Sequence, residues 1–411
     1  MNQKTHLKWL IASVILAVSA VAQATTIETV PVRNPGNKGE SSGNSVAGGR
    51  GLGRICGAVG YEYRIGKYEV TAGQYCEFLN TVAKTDTYGL YSASMDRDPK
   101  GCQITRRGAS GNYTYNFSGG KMESPGSTAA DWKNRPVNYV SWGDAARFAN
   151  WLHNGQPKGA QDSTTTEDGA YGLRGATSLK ALMAVRRKAG WKWSIPSEDE
   201  WYKAAYHKND GDTKNYFDFP TSSNTAPGYV NNSGKLSGAG TVFAEGGIYP
   251  GNNASYDGDE GTDGVGGPYY RTNVDEWEKS GSPYGVFDLG GNVWEWNETV
   301  IKSSRGLRGG AIDDEAGDLR ASFRYYYPPT SENAYIGFRV ASGPDNLELS
   351  LEICPTTNEN PRNEINTFGS DEVARSVSTI VRHDWLSPVS SEPFLYRSFD
   401  RNPDKGMGLM K

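Results

Sequence analysis

Cysteine and histidine are scarce in this sequence, with four of each in 411 residues. Cys56, Cys76, Cys102 and Cys354 stand at irregular spacings without a Cys-x-x-Cys pair, which excludes the ligand spacing of common zinc sites. Three of the four fall between residues 56 and 102. One disulfide among them is open in an oxidising compartment, with the pairing unreadable from spacing. His6, His153, His207 and His383 are too scattered for a histidine-rich metal centre. His153 ends a helical pattern, where a cation suits the helix dipole, and reads as a surface residue. An excess of positive charge is also missing: 43 Lys and Arg face 47 Asp and Glu, a formal net charge of −4 at pH 7. That balance excludes nucleic acid and anionic membrane as the main partner.

Long apolar runs are absent beyond the first residues. Lys4, His6 and Lys8 give a weakly basic start, residues 9–21 are mostly apolar, and Ala22-Gln23-Ala24 supplies small residues for cleavage. This is the pattern of a signal peptide over 1–24. The run is short for a membrane span, so an uncleaved anchor is the less favoured reading. The mature chain then starts near Thr25 with no transmembrane segment. It is exported, to a periplasm, a cell surface or the medium.

Glycine and large aromatics are abundant. Glycine takes 51 positions, beside 11 Trp and 24 Tyr, where average usage of glycine is about 7%. Together they predict a loop-rich domain held by scattered aromatic anchors; a disordered chain would lack the aromatics. Residues 25–57 read as a flexible lead-in. "YEYRIGKYEV" (61–70) alternates as a strand, and Thr71 caps a helix carrying Tyr75, Phe78 and Leu79. Ser141 caps a second helix through "SWGDAARFANWLHNG". In "WSIPSEDEWYKAAYH", Ser197 and Glu200 form a capping box. Glu198, Asp199 and Glu200 sit in the first turn of that helix, where capping and the dipole account for them. Residues 209–281 form a long polar segment, and residues 343–411 read as a tail of a different character.

Six separated motifs then occur in order: "YRIGKYEVTAGQYCEFLN", "RPVNYVSWGDAARFANWL", "IPSEDEWYKAAY", "YGVFDLGGNVWEWNE", "RGLRGGA" and "NAYIGFRVA". Together they resemble the formylglycine-generating enzyme family, also called the sulfatase-modifying-factor domain, across residues 61–341. The resemblance implies one α+β domain over residues 58–342, compact, loop-rich and related to C-type lectins, with short strands and few helices. It also implies calcium. The segment matching "DLGGNVWE" would bind the ion through the carboxylates of Asp288 and Glu295 and the carbonyls of Gly291 and Val293. Calcium favours several hard oxygen ligands, and a glycine lets the backbone turn its carbonyl inward. A second, more loosely aligned set would be Asn253, Ala254, Asp263 and Val265.

The family's oxidase chemistry is not implied. Its copper sits on two cysteines just after the Gly-Gly-Ser that matches Gly309-Gly310-Ala311. Here the first of those positions falls near Asp314 and the second in "EAGD". Carboxylates do not replace thiolates for Cu(I), a soft ion, so copper is not expected. The segment "RGLRGGAIDDEAGDLRASFRYYYPPTSENAYIGFR" (305–339) holds Asp313, Asp314, Glu315 and Asp318, an acidic run that reads most simply as a solvated loop. Many of its other residues have codons reachable from an asparagine codon by adenine changes, as in variable regions diversified by retroelements. Asp313, Asp314, Phe323, Tyr325, Tyr326, Tyr327 and Tyr335 are therefore the candidate ligand contacts, since aromatics give large contact area at low entropic cost. Three consecutive tyrosines cannot all point to one side of a strand.

Two functions follow. One is an exported, non-catalytic module that binds a protein or cell-surface ligand through residues 311–335. The other is a formylglycine-generating oxidase, or a divergent relative, acting on a cysteine of a target protein, which would need Cys354 or an N-terminal cysteine in the cleft.

Overall fold

The computed structural model describes residues 24–117, 128–230, 236–237, 251–258, 261 and 263–344. All of them belong to one contact unit, residues 1–351. The leader up to residue 23, Cys354 and the tail from residue 345 onward lie outside the described residues.

The strands in chain order are β1 (Thr29–Val32), β2 (Glu40–Ser42), β3 (Arg54–Cys56), β4 (Tyr63–Gly66), β5 (Ile104–Arg107), β6 (Thr114–Phe117) and β7 (Trp193–Ser194). They continue with β8 (Tyr229–Val230), β9 (Leu236–Ser237), β10 (Trp294–Ile301), β11 (Ser304–Arg308), β12 (Tyr325–Tyr327), β13 (Ile336–Gly337) and β14 (Ala341–Ser342). The helices are α1 (Ala72–Val82), α2 (Ser94–Arg97), α3 (Ala129–Lys133), α4 (Trp142–His153), α5 (Leu179–Ala184) and α6 (Glu198–Tyr206). The chain thus has the α+β, loop-rich class expected of it. Among the described residues no helix is long and apolar enough to cross a membrane.

The three helix starts carry the expected caps. Thr71 Oγ1 accepts from the Gln74 backbone N–H at 3.2 Å, and the Gln74 side chain accepts from the Thr71 N–H at 2.9 Å. Ser141 and Asp144 repeat the exchange at α4, and Ser197 and Glu200 at α6. Each box satisfies two backbone donors that the helix cannot, and a cap of this kind is worth about 1 kcal/mol. The caps fix where α1 and α4 begin, and their apolar faces then meet. Phe148 lies 5.3 Å from Phe78 and 5.4 Å from Phe338, centroid to centroid, in edge-to-face contacts. Phe338, from the "IGFR" motif, is fully buried there.

Two four-stranded sheets flank this core. The first has the order β1-β4-β14-β7, with Thr29 opposite Gly66 and Ala341 opposite both Ile65 and Ser194. It corrects the expectation of a flexible lead-in. Residues 25–57 contribute β1 to this sheet and pair β2 with β3, because Val32 and Cys56 have buried places against α6 residues in the second core cluster. The second sheet has the order β12-β11-β10-β13 and carries the candidate segment. β10 and β11 form an antiparallel hairpin with an irregularity between Trp296 and Val300, and β13 joins β10 in parallel. β12 lies at the edge, with Tyr325, Tyr326 and Tyr327 opposite Leu307, Gly306 and Arg305.

Candidate functional site

The edge strand β12 is held in place by a buried ion cluster. Arg308, at the end of β11, is fully buried and donates from Nε and Nη2 to Glu198 Oε1 at 3.0 and 2.8 Å. Its Nη1 reaches the carbonyls of Ala321 and Phe323 at 2.9 and 2.6 Å. Arg324 grips the same carboxylate from Nε and Nη2, both at 2.6 Å, and Arg54 adds a third guanidinium at 2.9 Å. Burial would raise the Glu198 carboxyl, but Arg308, Arg324 and Arg54 overcome it and hold the group well below the usual carboxylate range. Glu198 therefore does more than favour a helix start. It ties α6 to the backbone that leads into β12. Glu200 is likewise shared, between the cap at Ser197 and a two-pronged contact from Arg187 at 2.9 and 2.8 Å.

After β11, Gly309 and Gly310 adopt φ values of +104° and +75°. A side chain at Gly309 would also come within 2.8 Å of the Leu289 carbonyl. The pair makes the turn that launches residues 311–324. Asp314 then folds back, its Oδ2 accepting from the Ala311 N–H at 2.9 Å.

Strand alternation sorts the tyrosines. Tyr325 lies across Leu307 from Trp296 and shares a sheet face with Tyr327, while Tyr326 points the other way. On the shared face, Trp294, Phe323, Tyr325 and Tyr327 form one aromatic group. Trp294 lies 5.2 Å from Tyr325 and 5.7 Å from Phe323, and Tyr325 lies 5.5 Å from Tyr327. Tyr325 is the exposed member at 39%; Tyr326, Tyr327 and Tyr335 are half-buried. Phe323, one of the expected ligand contacts, is buried in the main core with its ring tilted against that of Trp294. Trp294 and Lys100 belong to the site and went unremarked in the sequence. The signal for Trp294 was the alternation in "WEW", which puts it on the same face as Trp296.

Tyr335 borders the same region. Lys100 Nζ donates to its hydroxyl at 3.0 Å and pairs with Asp263 at 2.8 Å. Asp313 is exposed as a residue, yet its carboxyl is crowded. Desolvation and repulsion from Asp263 and Asp257 push it up to about 6, against the pull of Lys100. Asp314 is raised well above the ordinary value, first by burial and then by Asp313 and Asp318, while the Trp294 side chain pulls it down. In the acidic run Asp313 and Glu315 are exposed and Asp314 and Asp318 half-buried, with a short 3-10 turn over Ala316–Leu319. The structure brings Asp313, Asp314, Tyr325, Tyr327 and Tyr335 into one neighbourhood.

The calcium ligands expected from the motif divide. Asp288 is buried at a φ of +56°, and its Oδ2 has no hydrogen-bond partner. It lines a water-sized cavity of about 10 Å³ together with Asn253, Thr221 and Ser280. Asn253 came from the second, weaker set, and its side-chain oxygen and nitrogen also lack partners. Asp288 and Asn253 therefore fit a hard cation. Glu295 does not. Arg339 donates to both of its oxygens at 2.6 and 2.7 Å, and the Trp201 indole adds a third contact at 2.7 Å. Glu295 is the buried counter-charge of Arg339. The Asp263 carboxylate, from the second expected set, pairs with Lys100 at 2.8 Å. Gly291, at φ +82°, makes a bridge with Ser255, and Ala254 and Val293 are buried apolar residues beside them. The Val265 N–H bonds the Tyr270 carbonyl. Glu69, absent from both expected sets, is fully buried with both carboxylate oxygens unpartnered, and it is raised by burial and by Asp288. Among the described residues, no group of three or more His, Cys, Asp or Glu is arranged to hold a metal. An ion at Asp288 would depend on amide and carbonyl oxygens.

Cys56, Cys76 and Cys102 are unpaired, buried thiols. Burial pushes Cys56 up to about 11 and Cys76 up to about 12, and it raises Cys102 as well. None presents a thiolate at the surface.

The sulfatase-modifying factor enzyme 1-like domain profile matches residues 58–343. Among solved structures, the chain is similar to Treponema denticola variable protein 1, at 17% identity over 76% of this chain and 94% of that one, with a TM-score of 0.42. CarF matches at 18% identity over 77% and 98%, with a TM-score of 0.37. PvdO from Pseudomonas aeruginosa matches at 16% over 78% and 98%, also with a TM-score of 0.37. No curated protein matches. The family profile spans well over half of the 411 residues, and the chain belongs to the sulfatase-modifying factor enzyme 1-like domain family.

Proposed function

We propose that this chain is an exported, non-catalytic binding module. The observation that carries the reading is the content of the segment after Gly310. Where the family's copper thiolates would fall, the chain places Asp314 and the stretch 315–318, close to an aromatic group with Tyr325 exposed, and the described cysteines are buried thiols. Carboxylates are poor ligands for Cu(I), and a buried neutral thiol is a poor nucleophile. A face built on the edge of a sheet, with Tyr325 outermost, is suited to contact instead. The ligand would be a protein or another cell-surface molecule, and positions of the segment other than Arg324, which is tied to Glu198, could vary by retroelement diversification. The test is oxidation of a cysteine peptide by the full chain with copper and oxygen. The expected result is no thiol loss above the protein-free control. Copper-dependent oxygen uptake matched to thiol loss would overturn the reading.

We also propose a structural calcium ion at Asp288 and Asn253. Unpartnered buried oxygens in one small polar cavity support it, since buried polar groups normally have partners. Calcium at about a hundred times its dissociation constant should stabilise the chain by about 2.7 kcal/mol, an effect that chelator reverses. Thermal unfolding of wild type and Asp288→Ala with calcium or chelator reads this. An equal calcium shift in both proteins would remove the site.

A further inference from the structure

We propose that the partner of the Tyr325 face is a basic peptide segment of another protein, bound through its Lys or Arg side chains. The inference rests on the binding reading above and adds the chemistry of the ligand. Its first ground is charge. Asp257, Asp263 and Asp314 crowd Asp313, and Lys100, the cation that acts on it, is already spent on Asp263 and Tyr335. A segment bearing positive charge relieves that repulsion; an acidic one adds to it.

The second ground is independent of the acids. Rings of this neighbourhood already hold cations from the chain itself. Lys100 Nζ stands 5.2 Å from the centroid of Tyr335 and 5.7 Å from that of Tyr270, and the Arg50 guanidinium stands 5.8 Å from that of Phe323. Tyr325, the outermost ring, has no such cation among the described residues. A Lys or Arg at its exposed side would complete the set. β12 is also the edge of its sheet, the position at which an extended segment can add to a sheet; the chain's own Arg50 pairs only with the residues leading into it.

The experiment uses the full chain and three fluorescein-labelled heptapeptides: alternating Gly with Lys and Arg, the same with Glu, and the same with Ser. Anisotropy should show binding of the basic peptide alone, weakening with salt as screening predicts. Tyr325→Ala and Asp313→Asn should each weaken it roughly tenfold, the scale of a single desolvated cation contact. Circular dichroism should be unchanged. Binding should also fall as pH drops below about 6, where Asp313 takes up its proton and no longer offsets Lys100, with Asp257, Asp263 and Asp314 as its charged neighbours. An unchanged basic-peptide affinity in Asp313→Asn, or absence of binding by that peptide, would overturn the inference. So would equal binding of the Ser or Glu peptide. Binding of the Ser or Glu peptide that depends on Tyr325 would reject the basic partner and leave the binding reading standing.

Discussion

Glu198→Ala should destabilise the fold by about 3–5 kcal/mol, the range for removing one partner of a buried ion pair. The side chain is 1% exposed and neutralises Arg308 and Arg324, which are themselves buried. Without it, two guanidinium groups lie in the protein interior with no counter-charge. Glu198→Gln should lose most of the same stability, because the amide keeps volume but not charge. The pH dependence follows from the lowered folded pKa. The contribution of Glu198 is complete above the ordinary carboxyl value of 4.5 and is lost as pH falls from there toward the folded value. Urea unfolding at neutral pH and at a pH below 4.5 checks both points. The wild-type midpoint should fall on acidification, and the Glu198→Ala midpoint should fall less steeply. A wild-type-like midpoint for Glu198→Ala at neutral pH would show that the cluster does not hold β12.

Local signals made part of this structure legible in advance. The caps at Thr71, Ser141 and Ser197 depend on residues three positions apart, so the sequence displays them directly. β1 was hidden because its partner is distant: Val32 gains its place only when Tyr63 pairs with it, and the surrounding Gly, Ser and Asn read as a loop. The same limit applied to Glu198. Its position in a first turn had a sufficient local explanation, which concealed arginines 110 and 126 residues away. At the site, the run of three tyrosines announced that some ring must face outward, but only the register against Arg305, Gly306 and Leu307 says which rings share a face. Phe323 looked equivalent to the tyrosines by composition and is separated from them by burial. Lys100 lies 235 residues from Tyr335, and nothing near it in sequence connects the two. For the expected ion ligands, the motif gave no sign that Arg339, 44 residues beyond Glu295, pairs with it.

The second large effect concerns the face itself. Tyr325 and Tyr327 supply its accessible aromatic area, and tyrosines at the centre of an interface commonly cost about 2 kcal/mol or more when truncated. Tyr325→Ala/Tyr327→Ala should then weaken any ligand of this face by roughly thirtyfold or more. The double variant should keep its fold, because neither ring belongs to the Glu198 cluster, Tyr325 is exposed, and Tyr327 packs only half-buried against the core cluster, at the edge of its sheet. Tyr325→Ala alone, at the exposed end of the group, serves as the milder control.

A displayed random-peptide library, selected in parallel on the full wild-type chain, Tyr325→Ala and Tyr325→Ala/Tyr327→Ala, measures the central claim directly. The expected result is a family of peptides enriched by wild type, reduced by the single variant and lost by the double variant, with all three proteins unfolding at similar urea concentrations. Enrichment of the same peptides by wild type and the double variant, or no enrichment by folded wild type, would contradict a binding face at β12.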